Sequence, residues 1–208
     1  MSPRQYQMGK RREQVTEGRR RALDAARALL RDSDSYTAFT VDAVARRADM
    51  ARATVHYQFG SKTGLLEAVC DDIAEAGQMS GLAGAFTQQD PEAALREFVV
   101  IFGRFWAADR VVMRRLRALA ALDPEVEVVI SSRDDRRRTG LTVLAGRLDG
   151  ASAKDPDLVR VLFTLTSFET YDALAGPEEN LTDVVPLVAD LVLAALRRFG
   201  GSENPLPG

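Results

Sequence analysis

Histidine and cysteine, the side chains that most often carry catalysis and metal binding, each occur once in this 208-residue sequence. A di-iron bundle needs paired Glu-x-x-His motifs, which His56 alone cannot supply. One cysteine, Cys70, excludes a disulfide framework and a multi-thiolate metal site within the chain. A Ser-His-Asp or Cys-His mechanism would need His56 in a cavity. The residues around His56 instead predict an outward position on a short helix. The sequence predicts no enzyme, no metal site and no cofactor, with Cys70 as a small buried side chain.

The stretch around His56 instead has the pattern of two short helices joined by a tight turn. Residues 39–59 read FTVDAVARRADMARATVHYQF, with apolar side chains at helical spacing and Met50 in the turn. The second helix has few apolar anchors, Val55 and Phe59, and leaves polar and aromatic side chains facing outward. A helix of that kind fits the DNA major groove, where base edges present distinguishable hydrogen-bonding patterns. The outward positions are Arg52, Ala53, Thr54, His56 and Tyr57.

Charge is distributed unevenly along the chain. The net charge is -2, but residues 1–62 carry 13 basic and 7 acidic side chains, and the remainder is acidic. This asymmetry indicates that the N-terminal third faces a polyanion. Seven of the basic residues fall within the first 21 positions. We expect residues 1–18 to form a basic flexible arm that follows the DNA backbone or enters the minor groove.

The remaining periodicity is helical and predicts an all-α protein of about nine helices. Glycines at 77, 81 and 84 predict a loop that lasts until residue 90. Asp90-Pro91, Asp123-Pro124 and Asp155-Pro156 are helix-start signals. The predicted helices cover residues 19–31, 41–48, 52–58, 61–80, 90–108, 109–122, 123–148, 155–175 and 183–199. The end of the chain, 200–208, is predicted to be a flexible tail.

Aromatic residues concentrate on two of these helices and predict an apolar ligand site. Ordinary core packing is the alternative for any one of them. Glu97, Glu169 and Asp172 are the acidic groups near the stripes that a cationic ligand would use, although such side chains are more often solvated. The arginine-rich stretch 133–138 is expected to be a solvated face. The candidate ligand-binding residues are Phe98, Phe102, Phe105, Trp106, Met113, Phe163, Ser167, Phe168 and Tyr171.

The last predicted helix is apolar on nearly all sides, which a surface helix of a small monomer is not. We expect one side to pack against its own domain and the other against a second copy, paired with the helix that begins near residue 156. A fully internal helix is the alternative. The candidate dimer-interface residues are Leu158, Leu162, Leu165, Val188, Leu191, Val192, Ala195 and Phe199.

Residues 20–70 resemble the DNA-binding domain of the TetR family of transcriptional regulators. The resemblance implies a homodimer of all-helical subunits, usually a repressor, with a helix-turn-helix domain over 19–64 and a ligand-binding and dimerisation domain over 65–199. The residues that carry it are Leu23, Ala26, Leu30, Thr40, Val41, Ala45, Ala48, Thr54, Val55, Tyr57, Phe59, Ser61, Lys62, Leu65 and Leu66.

Matching positions assign the DNA contacts. The residues expected to face base edges are Arg52, Ala53, Thr54 and His56. Among them, Arg52 has the planar fork of donors that suits guanine. Thr40, Tyr57 and Lys62 are expected to contact phosphates.

Three residues depart from the family pattern. Asp49 replaces a turn glycine, and Ala51 replaces a Ser or Thr cap. Gly64 stands where a glutamate would complete a capping box with Ser61.

The expected function is a cytoplasmic, homodimeric DNA-binding regulator, most simply a repressor released from a palindromic operator by a small, largely apolar or aromatic ligand. The alternative is a ligand-independent activator or architectural DNA-binding protein. The apolar runs are too short to predict a membrane span.

Overall fold

The computed structural model describes residues 3–32, 39–148 and 155–200, and the side chains within those ranges from residue 13 to residue 199. These residues form eleven α-helices and one short 3-10 helix, and within the described ranges no strand occurs. The all-α prediction is confirmed. The helices are α1 Pro3–Asp32, α2 Val41–Arg47, α3 Arg52–Phe59, α4 Lys62–Ala76, α5 Leu82–Thr87, α6 Pro91–Ala108, α7 Arg110–Ala120, α8 Pro124–Ala145, α9 Pro156–Leu165, α10 Phe168–Ala175 and α11 Val185–Gly200, with the 3-10 helix at Met79–Gly81.

The chain divides into two compact units, each with its own core. Unit 1 holds residues up to 72 together with 114–130, and unit 2 holds 73–113 together with the chain from 131 onward. The divisions fall inside α4, α7 and α8. The domain boundary that the sequence suggested, after residue 64, would cut α4 within its first turn.

The core of unit 1 is built from the inward faces of α1 to α4. The alanine-rich stripe of α1 allows a close approach of α2, whose Val44 and Ala45 are buried. Cys70 is buried in α4, as the sequence predicted. The fully buried apolar side chains that these four helices contribute to unit 1 are Ala22, Ala26, Val44, Val55, Leu65, Leu66 and Val69.

The first helix corrects the prediction of a flexible arm. Residues 3–18 are helical and continue without interruption into the predicted helix at 19. Pro3 is acceptable at a helix start, and each of the two glycines, Gly9 and Gly18, costs only about 1 kcal/mol in a run of good helix formers. The basic side chains of residues 4–12 lie outside the described side chains, so their role on DNA stays a prediction.

The core of unit 2 surrounds α6, which begins as predicted. Asp90 caps the helix by accepting a hydrogen bond from the Glu92 amide, and Pro91 occupies the first turn. Asp155 and Pro156 begin α9 in the same way. Half of the residues of α6 are buried, and the helix packs against α5 and α11.

The predicted loop at 77–90 is wrong, because it contains the 3-10 helix and α5. Its glycines allow close packing rather than looseness. A Cβ on Gly77 would lie 2.6 Å from the Cα of Phe105, and one on Gly84 would lie 2.8 Å from Glu97 Oε1. Between the end of α4 and the start of the 3-10 helix, Gln78 adopts a left-handed conformation with a φ of 57°.

The single helix predicted for 155–175 is two helices. Thr166 ends α9 and Ser167 begins α10, where the Ser167 hydroxyl accepts a hydrogen bond from the Thr170 amide. The buried Thr166 hydroxyl donates to Leu162 O at 2.8 Å and accepts from the Arg137 guanidinium at 3.0 Å. Hydroxyl side chains that bond to the backbone compete with helix continuation, which explains the break.

The predicted C-terminal tail, 200–208, lies outside the described residues apart from Gly200, which ends α11. Among the described helices, none is long and apolar enough to cross a membrane.

Candidate nucleic-acid interface

The predicted recognition helix, α3, is anchored by few buried side chains. Val55 is fully buried and is its one buried residue. Ala51 precedes the helix in an extended conformation and offers no side-chain hydrogen bond, as its residue type predicted. Asp49 adopts the left-handed conformation expected at a turn glycine, with φ of 50°. The turn and helix therefore form with the substitutions that this sequence carries.

The outward side of α3, which we call the reading face, presents the five side chains that the sequence singled out. All five are exposed, and Tyr57 is 86% exposed. Four of them line one shallow surface depression. The reading face consists of Arg52, Ala53, Thr54, His56 and Tyr57.

Arg52 is oriented by an ion pair that the sequence analysis did not identify. Its Nε lies 3.0 Å from the Oδ1 atom of Asp42, in the first turn of α2. Both side chains are more than half exposed, so the pair contributes little stability. Its effect is geometric, because engagement through Nε leaves the two terminal nitrogens for a bidentate contact.

A second residue that the sequence analysis missed holds the other end of the recognition helix. Arg19 of α1 donates from Nη1 to the Gln58 carbonyl at 3.3 Å, and its guanidinium lies 4.6 Å from the centroid of the Phe59 ring. A cation at a helix C-terminus is favoured by the partial negative charge of the terminal carbonyls. The spacing between positions 19 and 58 gave no local signal for this contact.

Thr40 and Lys62, the two predicted phosphate contacts at helix starts, differ in their surroundings. Thr40 is exposed and caps α2 by accepting from the Ala43 amide at 3.1 Å. Lys62, at the start of α4, is only 17% exposed and pairs with Asp123 and, at 3.6 Å, with Glu125. In this arrangement the Lys62 ammonium is bound by carboxylates rather than presented to solvent.

The contribution of the Lys62–Asp123 pair to fold stability depends on pH. The hydrogen bond from Lys62 lowers the pKa of the Asp123 carboxyl, against the opposing effect of partial burial. A lowered folded-state pKa means that the pair stabilises the fold above the unfolded-state pKa, near 4. That contribution is lost as the pH falls through the folded-state pKa.

The start of α4 shows why glycine occupies position 64. Ser61 accepts a hydrogen bond from the Gly64 amide at 3.0 Å, so half of a capping box is present. A Cβ at residue 64 would lie far inside van der Waals contact of the Phe59 carbonyl oxygen. The tight connection between α3 and α4 therefore excludes a glutamate at position 64, where the family pattern has one.

Unit 2 contains a cavity of 330 Å³, which we call the aromatic cavity. Three of the nine predicted ligand-binding residues line it: Phe98, Phe102 and Phe105. Phe98 and Phe102 stack with ring centroids 4.5 Å apart. The full lining is Ala74, Met79, Leu82, Phe86, Phe98, Phe102, Phe105, Arg133, Arg136, Arg137 and Gly140.

The other six predicted ligand-binding residues are not among those that line this cavity. Trp106 donates from Nε1 to Thr166 O at 3.1 Å and packs edge-on against Phe168. Tyr171 is fully buried and donates to Val99 O at 2.8 Å, and burial raises its pKa. The remaining three are Met113, Phe163 and Ser167, of which Met113 and Ser167 are buried and Phe163 is half-buried.

The arginine-rich stretch 133–138 is only partly the solvated face that we expected, because Arg136 and Arg138 are exposed and Arg137 is buried. Arg137 is 4% exposed, and its guanidinium stacks 3.8 Å from the centroid of the Phe163 ring. It donates to Phe163 O at 2.6 Å and pairs with Asp134 at 3.2 Å. Together with Arg133 and Arg136 it lines the aromatic cavity.

The predicted dimer-interface residues divide into two groups. Leu158, Leu162, Val188 and Val192 are at most 1% exposed in the single chain, where α9 packs against α11. They are core residues of unit 2 within the single chain. The remaining four are accessible: Leu165, Ala195 and Phe199 are half-buried, and Leu191 is exposed.

The described residues therefore hold a short exposed helix on a helix-turn-helix unit, together with a second helical unit that contains a cavity. The family model of the bacterial regulatory proteins of the TetR family matches residues 22–69. The match lies within the stretch 20–70, so it confirms the resemblance of this stretch to the DNA-binding domain of the TetR family. The proteins of this family are DNA-binding regulators rather than enzymes.

Solved structures of such regulators share the fold across nearly their whole length. PfmR from Thermus thermophilus superposes with a TM-score of 0.61 at 19% identity, covering 88% of this chain and 99% of that one. The fatty acid degradation regulator FadR from Bacillus halodurans gives 0.59 at 19% identity, covering 86% and 96%. SmeT in complex with triclosan gives 0.65 at 19% identity, covering 92% and 100%. Among curated protein sequences, none matches this chain.

Proposed function

We propose that the chain is a homodimeric transcriptional regulator that reads a palindromic operator with α3 and leaves it when a small molecule fills the aromatic cavity. The observation that carries the proposal is the reading face, which presents five exposed side chains on a helix anchored by one buried valine. That helix lies within the residues matched by the TetR family model. We assign DNA binding to residues 19–64 and sensing and dimerisation to 65–199. Such a regulator works where the chromosome lies, in the cytoplasm.

An exposed apolar row on α11 supports dimerisation. Leu187 is 48% exposed and Leu191 is 38% exposed. Their four-residue spacing puts them on one side of the helix, away from the buried Val188 and Val192. We infer that this row, with the half-buried Ala195 and Phe199, meets its two-fold copy. Half-sites in successive major grooves would then be about 34–36 Å apart.

The cavity favours a sensor over the alternative, a DNA-binding protein without a ligand. Its volume lies near the lower end of the range of about 300–1,000 Å³ for ligand pockets. SmeT, which shares the fold, forms a complex with triclosan, a small molecule. We propose that ligand entry tilts α4 and changes the separation of the two recognition helices. The operator affinity lost equals the preference of the ligand for the non-binding state.

Selection of bound duplexes from random DNA tests the function directly. We expect the purified chain to sediment as a dimer and to enrich an inverted repeat whose half-site centres are one helical turn apart. Small molecules that raise its melting temperature should also release the enriched duplex. A monomer that enriches no sequence at low salt would refute the proposal, and a DNA-binding dimer that no compound stabilises would favour the ligand-independent alternative.

The Lys62–Asp123 pair gives a prediction about phosphate binding. If Lys62 contacts DNA, it must exchange Asp123 for phosphate, so Asp123→Asn should strengthen binding to all sequences about 1.5- to 5-fold. Asparagine keeps the cap that Asp123 gives to the Glu125 amide at 3.0 Å. Lys62→Ala should weaken binding to all sequences alike and reduce the salt slope by about one per subunit.

Salt-dependent titrations of operator and random duplexes measure both effects. Opposite changes in the two variants support the phosphate contact. If Asp123→Asn weakens binding as much as Lys62→Ala does, the ion pair itself supports the domain and Lys62 does not contact phosphate.

A further inference from the structure

The aromatic cavity has two chemically different sides. One side is apolar and consists mainly of phenylalanine rings from α5 and α6, including Phe86, Phe98 and Phe102. The other side is a single face of α8, which contributes Arg133, Arg136, Arg137 and Gly140. The spacing i, i+3, i+4, i+7 puts these four residues on one side of the helix.

Glycine at position 140 lets this face of α8 approach the rings. A Cβ there would lie 3.2 Å from Phe86 Cζ and 3.4 Å from Phe98 Cε2, which is tighter than ordinary contact. Three arginines and four phenylalanines therefore line one volume of 330 Å³. That volume lies near the lower end of the range of about 300–1,000 Å³ for ligand pockets, so the cavity suits a small ligand.

The charge of this lining is positive. Three arginines belong to it, and no Asp or Glu belongs to the described residues that line the cavity. Asp134, which pairs with Arg137 at 3.2 Å, lies outside the lining. A charged ligand in the cavity would therefore have arginines and no carboxylate among the described residues around it.

The acidic residues that the sequence offered for a cationic ligand lie elsewhere. Asp172 pairs with Arg110 at 2.6 Å, Glu97 accepts from Gln88 at 3.2 Å, and Glu169 is exposed on α10.

The three arginines are not equivalent. Arg137 is fixed by the Phe163 carbonyl, the Thr166 hydroxyl and Asp134, so it supports the break between α9 and α10 as well as the cavity wall. Arg133 is half-buried, and Arg136 is exposed and donates from Nε to Ser132 O at 3.3 Å. A ligand whose apolar body lies among the rings would bring a polar end to these two side chains.

We propose that the effector is a small carboxylic acid bound as its anion, with an aromatic or short aliphatic body among the phenylalanines and its carboxylate at Arg133 and Arg136. A planar guanidinium donates two parallel hydrogen bonds to a carboxylate. Burying an anion in an apolar cavity is costly without such partners, and a cation would meet like charge from the guanidinium groups. The proposal rests on the proposed sensing function and replaces its largely apolar ligand with an anionic one.

Calorimetric titration of the full chain without DNA tests the ligand class. The probes are benzoate, 3-phenylpropanoate, hexanoate and octanoate, each compared with its neutral amide and with an amine of the same length. We expect at least one acid to bind 10-fold or more tightly than its amide and the corresponding amine not to bind. If no acid binds more tightly than its amide, the proposal is overturned.

Matched variants locate the carboxylate. The double variant Arg133→Gln with Arg136→Gln should reduce the acid-to-amide ratio to near one while leaving amide affinity unchanged. The control, Arg96→Gln with Arg104→Gln, removes the same charge from exposed positions on α6 that do not line this cavity, and should keep the ratio. Equal losses in both double variants would mean that overall charge, not this site, attracts the acid.

Operator binding, measured separately on the unliganded chain, distinguishes the two proposals. Binding of DNA without an acid preference overturns the ligand class alone. An acid preference without any DNA binding overturns the proposed function and leaves the anion site in place.

Discussion

The Trp106→Ala variant is expected to lose about 3–5 kcal/mol of unfolding free energy, a larger loss than we expect from any other single substitution proposed for this chain. Trp106 is 3% exposed, and its ring lies 4.5 Å from that of Phe105 and 5.8 Å from that of Phe168. Its indole N–H bonds to the Thr166 carbonyl. Removal of the ring leaves a cavity and a buried carbonyl without its donor.

Urea unfolding at fixed protein concentration measures this loss, as a lower midpoint at unchanged slope. Trp106→Phe separates the two contributions, because it keeps an aromatic ring and loses the indole donor. Val143→Ala, at a position 52% exposed on α8, should change the midpoint little. If Trp106→Ala instead kept its stability and lost ligand affinity, the residue would line the binding site, as the aromatic pattern of the sequence suggested.

The Arg52→Ala variant is expected to change operator preference more than any other single change on the reading face. A bidentate contact from arginine to guanine contributes about 1–3 kcal/mol of discrimination, which corresponds to roughly 5- to 150-fold. The variant should lose that preference at one position of each half-site and keep most of its affinity for random DNA. Repeating the duplex selection with the variant measures the change.

Asp42 provides the companion variant. Since Asp42 holds the Arg52 Nε at 3.0 Å, Asp42→Ala should relax the same base preference to a smaller extent without removing the side chain that reads it. Arg46→Ala, an exposed basic residue on α2, is the charge control and should leave the preference intact. A uniform loss across all sequences in Arg52→Ala, with a smaller salt slope, would assign Arg52 to phosphate instead.

The sequence predicted the DNA-binding unit better than the second unit, and the reason is physical. Caps, turn residues and the outward positions of α3 are local signals, so Thr40, Asp49 and Ala51 could be interpreted from their neighbours. Contacts such as Arg19 with Gln58 and Lys62 with Asp123 join positions 39 and 61 residues apart. Linear spacing contains no information about them.

In unit 2 the aromatic pattern of the sequence predicted a cluster of aromatic side chains. It could not separate the side chains of the core from those that line the cavity. Trp106 and Phe102 lie on the same helix and are both large aromatic residues, yet one is tied to Thr166 and the other lines the cavity. The arginines of α8 were assigned to solvent because charge usually is solvated. Arg137 is buried by contacts with the Phe163 ring and the Thr166 hydroxyl. These residues lie 26 and 29 positions further along the chain, too far for a local pattern to predict the contact.

The single buried anchor of α3 has a consequence for how this protein can diverge. Folding stability depends on inward side chains, and of the eight residues of α3 only Val55 is fully inward. Substitutions at its exposed positions should cost within about 0.5 kcal/mol of fold stability. DNA target choice is thereby decoupled from the folding of the domain, and duplicated copies could acquire new binding sites without passing through unstable intermediates.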